Sequence, residues 1–153
     1  MSPLLLAALL AGAPTIPPPP PRAAPPPTLP TSAALCRPTS ARACSPEGCA
    51  AADEGLHAEQ FEVDVSAGTL GACLYTDCYV GKARLVRERA TPWIVTAFGE
   101  VHSERPEGSV PPRGSDPFPL LITVDLRTGR FSATWSIGPG GQQVDFGTCQ
   151  LRR

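Results

Sequence analysis

The sequence lacks an excess of charge of either sign. Thirteen Lys and Arg face 14 Asp and Glu, a formal net charge of −1. That excludes the basic footprint a nucleic-acid binder needs. Lys82 is the only lysine, so arginine carries almost all the positive charge. With the abundant Ala, Gly and Pro this points to GC-rich coding, which says nothing about function. No apolar run is long enough to cross a bilayer: Leu4 to Leu10 is the best and is too short. Gly-x-Ser-x-Gly, His-Glu-x-x-His and the dinucleotide fingerprint are all missing. Gly138-Pro139-Gly140-Gly141 has neither the lysine nor the following helix of a phosphate-binding loop and reads as a turn. These absences leave no cofactor, no metal and no catalytic residue to assign.

What is present is a repeated β pattern. Val63-Asp64-Val65 matches Val124-Asp125-Leu126; Gly68 matches Gly129, Leu70 matches Phe131 and Ala72 matches Ala133. Each copy reads as strand, tight turn, strand, with apolar and polar residues alternating at the period of a half-buried strand. Gly68 and Gly129 stand where a short hairpin loop needs a positive φ. Asp64 and Asp125 suit carboxyl caps on backbone N–H groups at the turns, rather than paired acidic ligand sites. Val144-Asp145-Phe146-Gly147 echoes only the first half of the pattern.

The chain divides by composition. Residues 1–13 carry an apolar run ending in Ala11-Gly12-Ala13, the form of a secretory signal and its small-residue cleavage site, although no Lys or Arg precedes the run. Residues 14–35 form a proline-rich linker, expected as an extended spacer. Residues 36–60 are an irregular arm with Cys36, Cys44 and Cys49, a short helix over Ala50–Glu59, and His57 at the surface. Residues 61–153 form the β-domain. Its strands are Phe61–Ser66, Thr69–Tyr75, Lys82–Arg89, Trp93–His102, Phe118–Leu126, Arg130–Ile137 and Gln143–Leu151, the charged third one at an edge. Ser103–Pro117 is a long polar loop.

The fold expected is therefore all-β: a small antiparallel barrel or sandwich of about seven strands, with a disulfide-pinned irregular N-terminal arm. Six cysteines behind an export signal read as disulfides: Cys36, Cys44, Cys49, Cys73, Cys78 and Cys149. Their two Cys-x4-Cys spacings lie at the permissive limit of the zinc knuckle, and export favours oxidation to disulfides. Cys44–Cys49 suits a local loop. Cys73 and Cys78 would face opposite ways on an unbroken strand and pair elsewhere unless it bends.

A secreted or periplasmic location follows, with no membrane span in the mature form. The expected function is a non-catalytic binding module or inhibitor of the cell envelope, with an unidentified protein or small-molecule ligand and no nucleic acid. Its candidate contact residues are Tyr75, Asp77, Tyr79 and Gly81, a polar-aromatic cluster at a strand end. The alternatives are a small hydrolase using Glu100 and His102, helped by Asp77, or a structural envelope protein.

Overall fold

The computed structural model describes residues 33–52, 58–74, 77–104, 117–138 and 140–152. Among them there are ten strands and no helix: β1 (Ala33–Ser45), β2 (Gly48–Ala51), β3 (Gln60–Asp64), β4 (Thr69–Leu74), β5 (Asp77–Lys82), β6 (Arg84–Arg87), β7 (Ile94–Ser103), β8 (Phe118–Asp125), β9 (Arg130–Gly138) and β10 (Gly141–Arg152). Neighbours pair in the order β1, β3, β4, β5, β7, β8, β9, β10, and β10 returns to pair with β1. The result is a closed, up-and-down antiparallel barrel. β6 continues β5 beyond Ala83 and pairs with β7, while β2 folds back on the end of β1.

Strand alternation builds the interior. On β8, Leu120, Ile122 and Val124 are buried while Leu121 is exposed. Val95, Ala97 and Val101 of β7 do the same, and Phe61, Val63 and Leu70 face them from β3 and β4. Full burial of side chains of this size contributes roughly 1.5–3 kcal/mol each. Small residues inside (Ala34, Ala72, Ala97 and Ala133) suit the narrow lumen of a barrel this size, which side chains fill. Apolar inward and mixed outward is the inverse of a barrel that spans an outer membrane.

The two turn repeats form as their residues dictate. Asp64 Oδ1 accepts from the N–H groups of Ser66 and Ala67, each at 2.8 Å, and from the Ser66 hydroxyl at 2.7 Å. Asp125 Oδ1 accepts from Arg127 N–H at 2.9 Å and Thr128 N–H at 3.3 Å. Gly68 and Gly129 take φ of 65° and 70°.

Several expectations need correction. The arm is pinned by disulfides, but its first part is regular: Ala33–Ser45 is the strand that closes the barrel. Its Ser, Thr, Arg and Pro hide the pattern, yet Ala34, Cys36 and Ala41 are buried at inward positions, with a register shift between Pro38 and Ser40 absorbing the irregularity. The helix over Ala50–Glu59 is overturned where it is described, since Ala50 and Ala51 pair with β1; its middle and His57 lie outside the described residues.

Cys73 and Cys78 do pair with each other, because the chain reverses between Leu74 and Asp77 and sets them directly opposite. All three disulfides join facing positions on adjacent strands: Cys36–Cys149 across the β1–β10 seam, Cys44–Cys49 across β1–β2 and Cys73–Cys78 across β4–β5. The charged third strand expected over Lys82–Arg89 is β6, Arg84–Arg87, and among the described residues it pairs with β7 alone, at an edge; the strand ahead of it, β5, was not expected.

Candidate functional site

The barrel has two unlike ends. One is closed by the Asp64 and Asp125 turns. The other gathers the β1–β2 hairpin, the β4–β5 hairpin, the exit of β7, the entry of β8 and the β9–β10 turn, as the strand registers require. Both short-range disulfides staple hairpins on this second rim. Cys73 O accepts from Glu59 N–H and Cys78 O from Glu104 N–H, each at 2.9 Å, so the β4–β5 hairpin is tied to the chain on both sides. In the β1–β2 turn Glu47 accepts from the Ser45 hydroxyl at 2.6 Å, and that bond, then the residue's own N–H, hold its carboxyl below the usual range.

Beneath this rim lies a buried polar cluster. Gln143 and Asp145 of β10 are fully buried. Trp135 donates its indole N–H to Asp145 Oδ2 at 2.6 Å, and Gln143 Nε2 donates to Asp145 Oδ1 at 3.1 Å and Oδ2 at 3.3 Å. Two further buried atoms, Gln143 Oε1 and Ser103 Oγ, have no hydrogen-bond partner among the described residues. Tyr79, Phe118 and Trp135 form an aromatic chain across the lumen, with ring centroids 5.0 and 5.9 Å apart.

Of the four expected contact residues, the three that are described do not share one surface. Asp77 and Cys78 sit at the β4–β5 tip, and Tyr75 lies outside the described residues. Tyr79 points into the barrel and packs on Phe118. Gly81 runs against the backbone of β7 so closely that a Cβ there would collide with the Glu100 carbonyl. Glu100 and His102 are both exposed on the outer face of β7, and no hydrogen bond joins them among the described residues. Among the described residues no group of three or more His, Cys, Asp or Glu is placed to hold a metal ion.

A hollow among the described residues lies on the outer wall instead. It holds about 660 Å³ and is floored by Phe98, Pro119 and Leu121, with Glu100, Thr134 and Gln142 at its margins.

The buried cluster was missed in the sequence because β10 inverts the usual alternation. Gln143 and Asp145 face in, while Val144 and Phe146 face out. The available signal was the odd-numbered period running back from Leu151 and Cys149, both packed against the core.

No protein-family model, curated protein or solved structure matches this chain.

Proposed function

We propose that the protein is a secreted or periplasmic, non-catalytic binding module of the cell envelope, with inhibition of an extracellular enzyme as one form of that role. The observation that carries this reading is the stapling of two hairpins by separate disulfides on a single rim of the barrel. A pinned loop presents a contact surface with little ordering entropy left to lose on binding. Loops held on a rigid scaffold are where recognition residues concentrate. On this reading Asp77 at the β4–β5 tip touches the partner, Tyr75 is a second contact residue, and Tyr79 and Gly81 hold the hairpin from below.

Site-specific photo-crosslinking tests the assignment. A crosslinker at Asp77 captures a defined envelope partner that one at Arg127, on the far rim, does not. Equal capture from both positions, or none from Asp77, contradicts it.

The reading as a structural envelope protein keeps one observation in its favour, an exposed apolar face on the outer wall. The hydrolase reading has the weakest support, because Glu100 and His102 stand exposed and no hydrogen bond joins them among the described residues.

A further inference from the structure

The outer wall over β7–β10 carries no charge across twelve outward positions. These are Ile94, Thr96 and Phe98; Pro119, Leu121 and Thr123; Ser132, Thr134 and Ser136; and Gln142, Val144 and Phe146. They form continuous rows, since Phe98 faces Leu121, Leu121 faces Thr134 and Thr134 faces Val144; the neighbouring row runs from Thr96 through Thr123 and Ser132 to Phe146. Phe98, Leu121 and Phe146 are 38–42 % exposed, and Val86 extends the second row at 47 %. Charged outward positions stand on other strands, Glu62 on β3, Lys82 on β5 and Arg37 on β1, with Val80 of β5 an exposed apolar residue outside this face. Depletion of charge from the centre of a face, with charge at its rim, is the compositional mark of a protein interface.

The inverted alternation of β10 belongs to the same pattern. Its apolar residues face outward and its Gln and Asp inward, the arrangement expected if the outer wall is also to be covered. Water alone gives no reason to put Val144 and Phe146 outside and bury Asp145.

The charges at the rim identify what covers the face. Arg84 lies beside Phe98 on the neighbouring strand, with its guanidinium 5.8 Å from the ring centroid. Glu100 lies two residues further along β7, opposite Pro119. Neither has an ion-pair partner among the described residues. With strands about 4.8 Å apart and residues rising about 3.4 Å along each strand, a two-fold axis lying in the face and passing over Leu121 exchanges these two positions. Each copy's Arg84 then meets the other's Glu100, and the uncharged rows pack against each other. A patch that complements itself under a two-fold rotation is what a symmetric dimer requires.

We infer that the β7–β10 wall is a self-association face, on which a second copy of this chain packs about a two-fold axis over Leu121, with reciprocal Arg84–Glu100 pairs at its rim. This leaves the hairpin rim free, so the two copies present two rims for binding.

Sedimentation equilibrium of the exported protein, disulfides intact, tests this across the micromolar range. The expected mass is that of a dimer. Leu121→Arg gives a monomer with unchanged β-sheet circular dichroism. Arg84→Glu and Glu100→Arg each weaken the dimer by about tenfold, because each substitution sets like charges together twice, and the double reversal recovers most of the loss. Raised salt weakens the wild type and not the monomeric variant. A wild type that keeps the mass of one chain throughout overturns the inference. So does a dimer that survives Leu121→Arg, or a double reversal no tighter than the single changes.

Discussion

Trp135 on β9 gives its indole proton to Asp145 on β10, 2.6 Å away, with Asp145 fully buried inside the barrel. The bond runs within one hairpin, and Gln143 Nε2 joins it from the next inward position. Two donors therefore depend on one carboxyl group. Removing it leaves both unsatisfied in the lumen, a loss of about 1–3 kcal/mol for each. Asp145→Ala is expected to cost at least 2 kcal/mol, and Trp135→Phe about 1 kcal/mol by losing one bond. The double variant should cost less than the sum, because the groups share one network. Urea unfolding followed by tryptophan fluorescence, with circular dichroism for the Trp135 variants, measures all three.

The paired turns offer an internal control. Gly68 and Gly129 have nearly the same positive φ, so alanine is strained at either by about 1 kcal/mol. A Cβ at Gly129 would also stand 2.9 Å from the Cys149 carbonyl oxygen, whereas at Gly68 the nearest atom is 3.9 Å away. Gly129→Ala should therefore destabilise more than Gly68→Ala. Equal midpoints in a denaturant titration contradict this.

The Asp caps set a dependence on acid. Bonds from the Ala67 N–H and the Ser66 hydroxyl and N–H hold Asp64 below its ordinary value, against slight desolvation. For Asp125 burial pushes upward, but the Arg127 and Thr128 bonds and the Arg127 charge together outweigh it. A folded value below the unfolded one contributes stability above the ordinary carboxyl range, and that contribution is lost as pH falls through the lowered folded value. Asp64→Ala and Asp125→Ala should therefore differ from wild type at neutral pH and converge with it in strong acid. Thermal melts between pH 7 and about pH 2 show whether they do.

The three disulfides should not be equivalent. Cys36–Cys149 spans 113 residues and locks the seam where the barrel closes, while the other two span 5 each. In the chain-entropy account the long crosslink contributes about 5 kcal/mol and each short one about 2 kcal/mol. Replacing Cys36 and Cys149 by Ala should unfold the barrel most readily. Replacing Cys73 and Cys78 should leave the barrel intact and loosen the hairpin rim, read as faster amide exchange confined to β4 and β5.

The barrel class, seven of the strands to within about two residues, and both turn caps were legible because period-two alternation and Asp-x-x-x-Gly turns are local signals. The closing strand was not. Its Arg37, Pro38, Thr39 and Ser40 look like loop residues, and only pairing with β10, more than a hundred positions away in sequence, makes them a strand. Cys73–Cys78 is open in the sequence for a different reason: the pairing hangs on whether the strand bends after Leu74, and the reversal before Asp77 sets the cysteines face to face. At the candidate site, Asp77 and Tyr79 were both expected in one contact cluster at a strand end, although the alternation from Ala72 across the hairpin turns Tyr79 inward. The buried Asp145 was hidden by the apolar residues on either side of it, which carry the signal of the outer wall and not of the core.

The account rests on a barrel closed by disulfides in an oxidising compartment, with both short crosslinks on the rim proposed for binding. Non-reducing peptide mapping by mass spectrometry of the chain recovered from an exporting host tests this most directly. The prediction is a chain processed near residue 13 with no free thiol and with Cys36–Cys149, Cys44–Cys49 and Cys73–Cys78 as its only linkages. An unprocessed chain with free thiols, or a linkage joining Cys73 or Cys78 to any other cysteine, would contradict both the exported barrel and its pinned binding rim.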